Sequence, residues 1–162
     1  MTAPKQVVGL GQAAVMRRDG TLTALGLGSC VAVILHDPVA AVGGLVHVVL
    51  PSASLARDRS NPARFAESAA LFLVNRMEGA GADRLRVTAR LVGGASMFAL
   101  LTPQGATHIG QRNVIACRLA LRTAGIALTT EVVGGEVGRS VWFDVATGEV
   151  VVRSVGREPE IV

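Results

Sequence analysis

The 162-residue chain has no tyrosine, one tryptophan and four phenylalanines, although half of its residues are hydrophobic. A core built with so few rings must rest on valine, leucine, isoleucine and alanine, and the chain offers no series of aromatics on which nucleic-acid bases could stack. Lysine is nearly absent as well: fifteen of the sixteen basic residues are arginine, scattered along the chain. The net charge of +4 therefore forms no basic stripe, and nucleic acid is not an expected partner. A basic surface still favours an acidic partner through electrostatic steering. Two cysteines and three histidines match no zinc spacing, so neither a metal site nor an organic cofactor is expected. The longest charge-free stretches, residues 20–36 and 38–56, are broken by glycine, serine and other polar residues. Neither has the continuous apolar span of a membrane helix, which excludes direct membrane insertion by that route. No charged region followed by an apolar one opens the chain, so no secretory signal is expected. A cytoplasmic location follows as an expectation, with both thiols reduced. The length fits one domain spanning residues 1–162.

The pattern of apolar residues predicts many strands and two helices. Residues 31–35 and 45–50 read as a β-hairpin with its turn at Asp37-Pro38, and residues 51–61 read as a loop. Asn61 as N-cap and Pro62 in the first turn open a helix whose Phe65, Ala69, Phe72, Leu73 and Met77 share one face, ending near Gly79. Residues 85–92 form a strand leading into Gly93-Gly94. A second helix over about 111–124 carries Val114, Cys117, Leu121 and Ala124 on one face. Residues 126–133 and 141–155 read as strands, the latter folded at Thr147-Gly148. The expected class is α+β with mixed or antiparallel sheets, because runs of strands with two interspersed helices do not alternate as a doubly wound fold does.

Two residues carry the chemistry. Cys30 ends Gly26-Leu27-Gly28-Ser29-Cys30, and His47 lies in Gly43-Gly44-Leu45-Val46-His47-Val48-Val49-Leu50-Pro51. A thiol becomes a nucleophile near neutral pH beside a base, and glycines before it leave backbone N–H groups, those of Gly28 and Ser29, to hold an oxyanion. With the turn centred between Pro38 and Val39, Cys30 and His47 are directly opposed across the hairpin, about 5 Å apart at Cβ and within reach of a hydrogen bond. Taken singly, each also fits a structural role, the cysteine as a small buried hydrophobe and the histidine as a satisfied core group. Cys117 on the apolar helix face reads as core. His36 reads as exposed at the turn, and His108 lies in a polar loop without an assigned role. Gly26 to Val31 fails as a dinucleotide fingerprint, since Val31 replaces the third glycine and a strand follows. In Gly93-Gly94-Ala95-Ser96-Met97-Phe98 the aromatic either anchors a partner or tucks into the core.

These motifs, in this order, resemble the CheD family, the chemoreceptor glutamine deamidases of bacterial chemotaxis, from about Gln6 to Arg153. The resemblance rests on Leu25 to Val31, Gly43 to Pro51, Gly93 to Phe98, Ile109-Gly110-Gln111-Arg112-Asn113 and Gly134-Gly135-Glu136-Val137-Gly138-Arg139-Ser140. It implies Cys30 as nucleophile and His47 as base. It also implies a β-sandwich flanked by helices, similar to the catalytic domain of the cytotoxic necrotizing factor toxins. The substrate would be a glutamine in the cytoplasmic helical region of a chemoreceptor. A CheC-like phosphatase would be a partner, with Phe98 at that surface. The family commonly carries a threonine, its third catalytic member, where this chain has Ala24. Thr23 is adjacent, but successive strand residues point to opposite faces, so it would substitute only through a bulge. Otherwise a backbone carbonyl or water orients His47, or activity is reduced. A non-enzymatic adaptor, or a thiol hydrolase of glutamyl methyl esters, are the rival readings. A catalytic Cys30 is expected to behave as a low-pKa thiolate.

Overall fold

The computed structural model describes residues 2–101, 103 and 108–162. Ten strands are distributed over two five-stranded sheets. One has the order β1 (Lys5–Val7), β3 (Thr21–Leu27), β8 (Arg139–Asp144), β9 (Val150–Ser154), β10 (Glu160–Ile161). The other has the order β2 (Ala13–Arg17), β5 (Val42–Val48), β4 (Val31–Asp37), β6 (Thr88–Gly93), β7 (Ala127–Val133). Pairing is antiparallel except for β1 with β3 and β6 with β7, so both sheets are mixed. The two helices are α1 (Ala66–Gly79) and α2 (Ile109–Thr123).

The β2-β5-β4-β6-β7 sheet is a middle layer. Val31, Val33, Leu35, Val46 and Val48 face Leu73, Met77, Cys117 and Leu121 of the helices, whereas Ala32, Ile34 and Leu45 face Leu22, Leu27, Phe143 and Val150 of the other sheet. Every residue of β4 and β5 is buried, which is why these strands read as continuous apolar runs and not as alternation. Gly43 and Gly44 serve the two sides in turn: a Cβ at Gly43 would press on the Phe143 ring, and one at Gly44 on Leu73 and Met77. The expected α+β class and both helices are present. The helical faces named from the sequence are the buried ones, with Phe72 and Ala124 partly so. The first helix starts at Ala66, since Pro62–Arg64 form a separate 3₁₀ turn capped by Asn61. No helix of the described residues is long and apolar enough to cross a membrane.

The β4–β5 turn differs from expectation by one residue. The Asp37 carboxylate accepts the N–H groups of Val39 (3.0 Å) and Ala40 (3.1 Å), and Ala41 adopts a left-handed φ of 50°. The loop therefore comprises residues 38–41, and Ala32 rather than Cys30 lies opposite His47. His36, expected at the surface, is buried: its Nε2–H donates to the Val145 carbonyl (2.9 Å) and its ring meets Phe143 edge-on. Burial pushes its pKa below the ordinary value.

Asp37 itself is fully buried and receives Arg86 at both oxygens (3.0 and 2.9 Å) and the N–H of Asp83 at 2.8 Å. Burial pushes its carboxyl upward, but Arg86 and the three N–H donors outweigh that and hold it well below the usual carboxylate range. A depressed carboxylate stabilises the fold above its unfolded pKa and loses that contribution as the pH falls. Asp37→Asn is expected to cost about 2–4 kcal/mol near neutrality. Urea unfolding should show the gap from wild type shrinking as the pH drops below about 4. A gap independent of pH would contradict the assignment.

Candidate active site

Cys30 immediately precedes β4, and His47 lies near the end of β5. Register places Ala32 opposite His47, so Cys30, two residues earlier, is its diagonal neighbour on the same face, the one turned toward the other sheet. Diagonal residues are about 7–8 Å apart, less at Cβ, which long side chains still span. The two are thus brought to one face, but not directly opposed, and no sulfur–imidazole hydrogen bond joins them among the described residues. Apo catalytic sites commonly tighten only with substrate bound.

His47 is 3% exposed. The loop after β1 wraps it: its backbone N–H donates to the Gln12 carbonyl (3.0 Å), and Gly11 N–H donates to its carbonyl (2.9 Å). The Val8 carbonyl lies 3.0 Å from Nδ1. A carbonyl can only accept, so Nδ1 carries the proton and Nε2 presents its lone pair. Nε2 is buried without a hydrogen-bond partner among the described residues. Val8 is itself fixed, since its N–H donates to the Thr23 carbonyl at 2.7 Å. A backbone carbonyl therefore orients the imidazole. Ala24 is fully buried in the core between the sheets, and the extra residue of the β3 bulge falls between Ala24 and Leu27. That bulge lies beyond Thr23, so it does not turn the Thr23 hydroxyl onto the Ala24 face.

The segment leading into Cys30 is held by its carbonyls. Ala95 N–H donates to Gly28 (2.8 Å), Gly94 N–H to Cys30 (2.8 Å), and Asn113 Nδ2 to Ser29 (2.9 Å). The N–H groups of Gly28, Ser29 and Cys30 donate to nothing among the described residues. Three free donors in succession, beside a thiol, are what an oxyanion needs. Gly93 permits this packing: its φ is 120°, and a Cβ there would collide with the Cys30 carbonyl.

In the sequence Asn113 has a place in the Ile109–Asn113 motif but no assigned role. It is fully buried on α2 and its Nδ2 also donates to Val49 (3.0 Å), so one amide clamps the strand entering Cys30 to the strand leaving His47. A polar residue in phase with Cys117 and Leu121 on an apolar helix face was the available signal.

Cys117 is deeply buried and its thiol is pushed up to about 12, so it does not compete with Cys30. Burial also pushes the half-buried Cys30 thiol upward. This departs from the expected low-pKa thiolate: burial acts alone, with no cation beside the sulfur to stabilise its charge. Iodoacetamide labelling of Cys30 in the free protein should therefore inflect above the ordinary thiol value of about 8.5. An inflection below it would indicate a preformed thiolate. Phe98 is 72% exposed, beside exposed Met97, Leu100 and Leu101, so it does not tuck into the core. Ser29, Phe98 and His108, which caps α2, line a cavity of about 250 Å³.

A profile described as CheD chemotactic sensory transduction matches residues 49–154. The probable chemoreceptor glutamine deamidase CheD of Moorella thermoacetica is 42% identical over 165 residues, covering 98% of this chain and 96% of that protein. The chain belongs to the CheD family. The chemoreceptor glutamine deamidase CheD of Thermotoga maritima is 43% identical over 152 residues, covering 94% and 93%. A probable CheD of Pyrococcus horikoshii is 39% identical over 148 residues, covering 91% of each. The CheD profile starts after His47, but the Moorella alignment leaves out only 2% of the chain and so takes in both Cys30 and His47.

Proposed function

We propose that this protein is a chemoreceptor glutamine deamidase in which Cys30 is the nucleophile and His47 the base. The observation that carries the reading is the imidazole fixed by Val8 with Nε2 unpartnered, on the face that Cys30 shares. Because burial keeps the resting thiol protonated, His47 Nε2 takes its proton as sulfur attacks the carboxamide carbon of a receptor glutamine. The N–H groups of Gly28, Ser29 and Cys30 receive the oxyanion. Collapse breaks the C–N bond, the imidazolium returns its proton to the leaving nitrogen, and ammonia departs. Water, deprotonated by His47, then cleaves the thioester to glutamate and restores the thiol. Every proton is accounted for by His47 and water.

Residues 1–162 act as one deamidase domain, because β4 and β5 contribute to the packing on both faces of the middle sheet; a cytoplasmic setting is proposed with it, as the compartment in which Cys30 stays a free thiol. The sandwich with its helical layer also supports kinship with the cytotoxic necrotizing factor catalytic domain. Exposed Phe98, on the rim of the cavity that includes Ser29, supports a docking role toward a CheC-like phosphatase.

Incubating the protein with a receptor cytoplasmic fragment should release ammonia and raise the fragment's mass by about one dalton per converted glutamine, the difference between amide and acid once the thioester is hydrolysed. A fragment bearing glutamyl methyl esters, offered in parallel, tests the ester-hydrolase alternative. A folded protein that leaves the glutamines untouched overturns the proposal.

A further inference from the structure

The segment from Gly134 to Ser140 has no part in the chemistry above, yet it places a charge inside the sandwich. Along β8 the inward positions are Arg139, Val141 and Phe143, the last two in the core between the sheets. Arg139 is 8% exposed. Its Nη1 donates to the Gly93 carbonyl (3.2 Å), its Nε is buried without a partner, and no carboxylate lies within salt-bridge distance among the described residues. Of the five guanidinium donors, the Nε–H is the one left buried without an acceptor among the described residues. A buried cation is normally paired with an anion.

Arg139 lines a cleft of about 630 Å³ together with Gly26, Ser140, Arg153, Ser154 and Arg157. Glu158 is the acidic residue of that lining, set against three arginines. The cleft adjoins the catalytic loop. Gly93, which Arg139 binds, pairs with Val31, the residue after Cys30. Met97 packs against the α-carbon of Gly28 and lines both this cleft and the cavity containing Ser29 and Phe98.

We propose that the Arg139–Arg153–Arg157 cleft is a specificity subsite that receives the carboxylate of an acidic side chain on the substrate protein, near the glutamine presented to Cys30. Resting on the deamidase reading, it deepens that reading by naming what the enzyme recognises beside the scissile amide. Arginine suits the role because its planar fork takes a carboxylate at two oxygens. On a helical substrate, residues one or two turns from the target lie about 5–11 Å along the axis, so a side chain near the scissile glutamine can face a cleft that shares Met97 with the Ser29 cavity.

The test is a cycle between enzyme and substrate. Arg153 and Arg157 are exposed, so Arg153→Gln and Arg157→Gln preserve the fold, whereas Arg139→Gln tests the buried member and needs a melting curve alongside. Each is assayed with a receptor cytoplasmic fragment and with the same fragment after acidic residues within two turns of the target glutamine are changed to Gln. The Arg153/Arg157 double variant should raise KM about five- to tenfold at nearly constant kcat. Neutralising the fragment should produce the same loss in wild type and no further loss in the variant. Unchanged KM, or equal losses with both fragments, overturns the subsite. If wild type shows no mass gain, the deamidase reading is what fails. The same cycle measured as Kd by anisotropy then decides the subsite separately: coupling supports it and its absence rejects it.

Discussion

A Cys30→Ala protein is expected to leave the receptor fragment unchanged in mass under conditions where wild type converts it fully. His47→Ala should lower kcat by at least about 10³-fold, since loss of a positioned base beside a protonated thiol removes both steps of the reaction. The two effects should not add: the double variant should be no slower than Cys30→Ala, as groups acting in one proton-transfer unit behave. Burial raises the Cys30 thiol, so there is no standing thiolate for sulfur to use when His47 is absent. Raising the pH should partly rescue His47→Ala, because hydroxide then does the work of the base, and should not rescue Cys30→Ala. This pattern separates the enzyme from an adaptor, for which neither substitution would alter the fragment. Slow alkylation of the resting protein does not separate them, because a half-buried thiol held protonated resists labelling in both cases. Residual turnover by Cys30→Ala would remove the covalent route.

Much of this arrangement was legible in the sequence, and the reasons it was legible are local. The helical faces followed from periodicity and the two buried strands from uninterrupted apolar runs. Cys30 and His47 follow from spacing around one turn. The exact register was not legible, because it depends on which N–H groups the Asp37 carboxylate captures, a one-residue choice that shifts the opposition from Cys30 to Ala32. The burial of His36 is hidden from the sequence for a related reason: its partner, Val145, comes from the turn that follows β8 in the other sheet. The group orienting His47 leaves no side-chain signature, since Val8 contributes a main-chain carbonyl from the loop after β1, which no hairpin pattern connects to β5. Arg139 and Asn113 left a usable trace, a polar residue in the phase of an apolar face, but that trace marks burial without naming the partner.

Asn113 supplies the second large effect. Asn113→Leu keeps the volume but withdraws both hydrogen bonds, leaving the carbonyls of exposed Ser29 and half-buried Val49 without their protein donor at a cost of about 1–3 kcal/mol. Asn113→Asp is closer still in shape, yet it turns an acceptor toward two acceptors and should be at least as damaging at neutral pH. If the clamp only filled space, the order would reverse, with Asp tolerated and Leu disruptive. Because the amide ties the entry to Cys30 to the exit from His47, the catalytic consequence is geometric. For protein that remains folded, kcat should fall about 10²-fold, the scale expected when reacting groups drift by about an ångström, while KM for the receptor fragment stays within a few fold. Lowering the pH should partly restore Asn113→Asp, in both melting temperature and kcat, as the protonated carboxyl regains one donor. A variant that melts normally and turns over normally would show that the two strands hold Cys30 and His47 in place without the clamp.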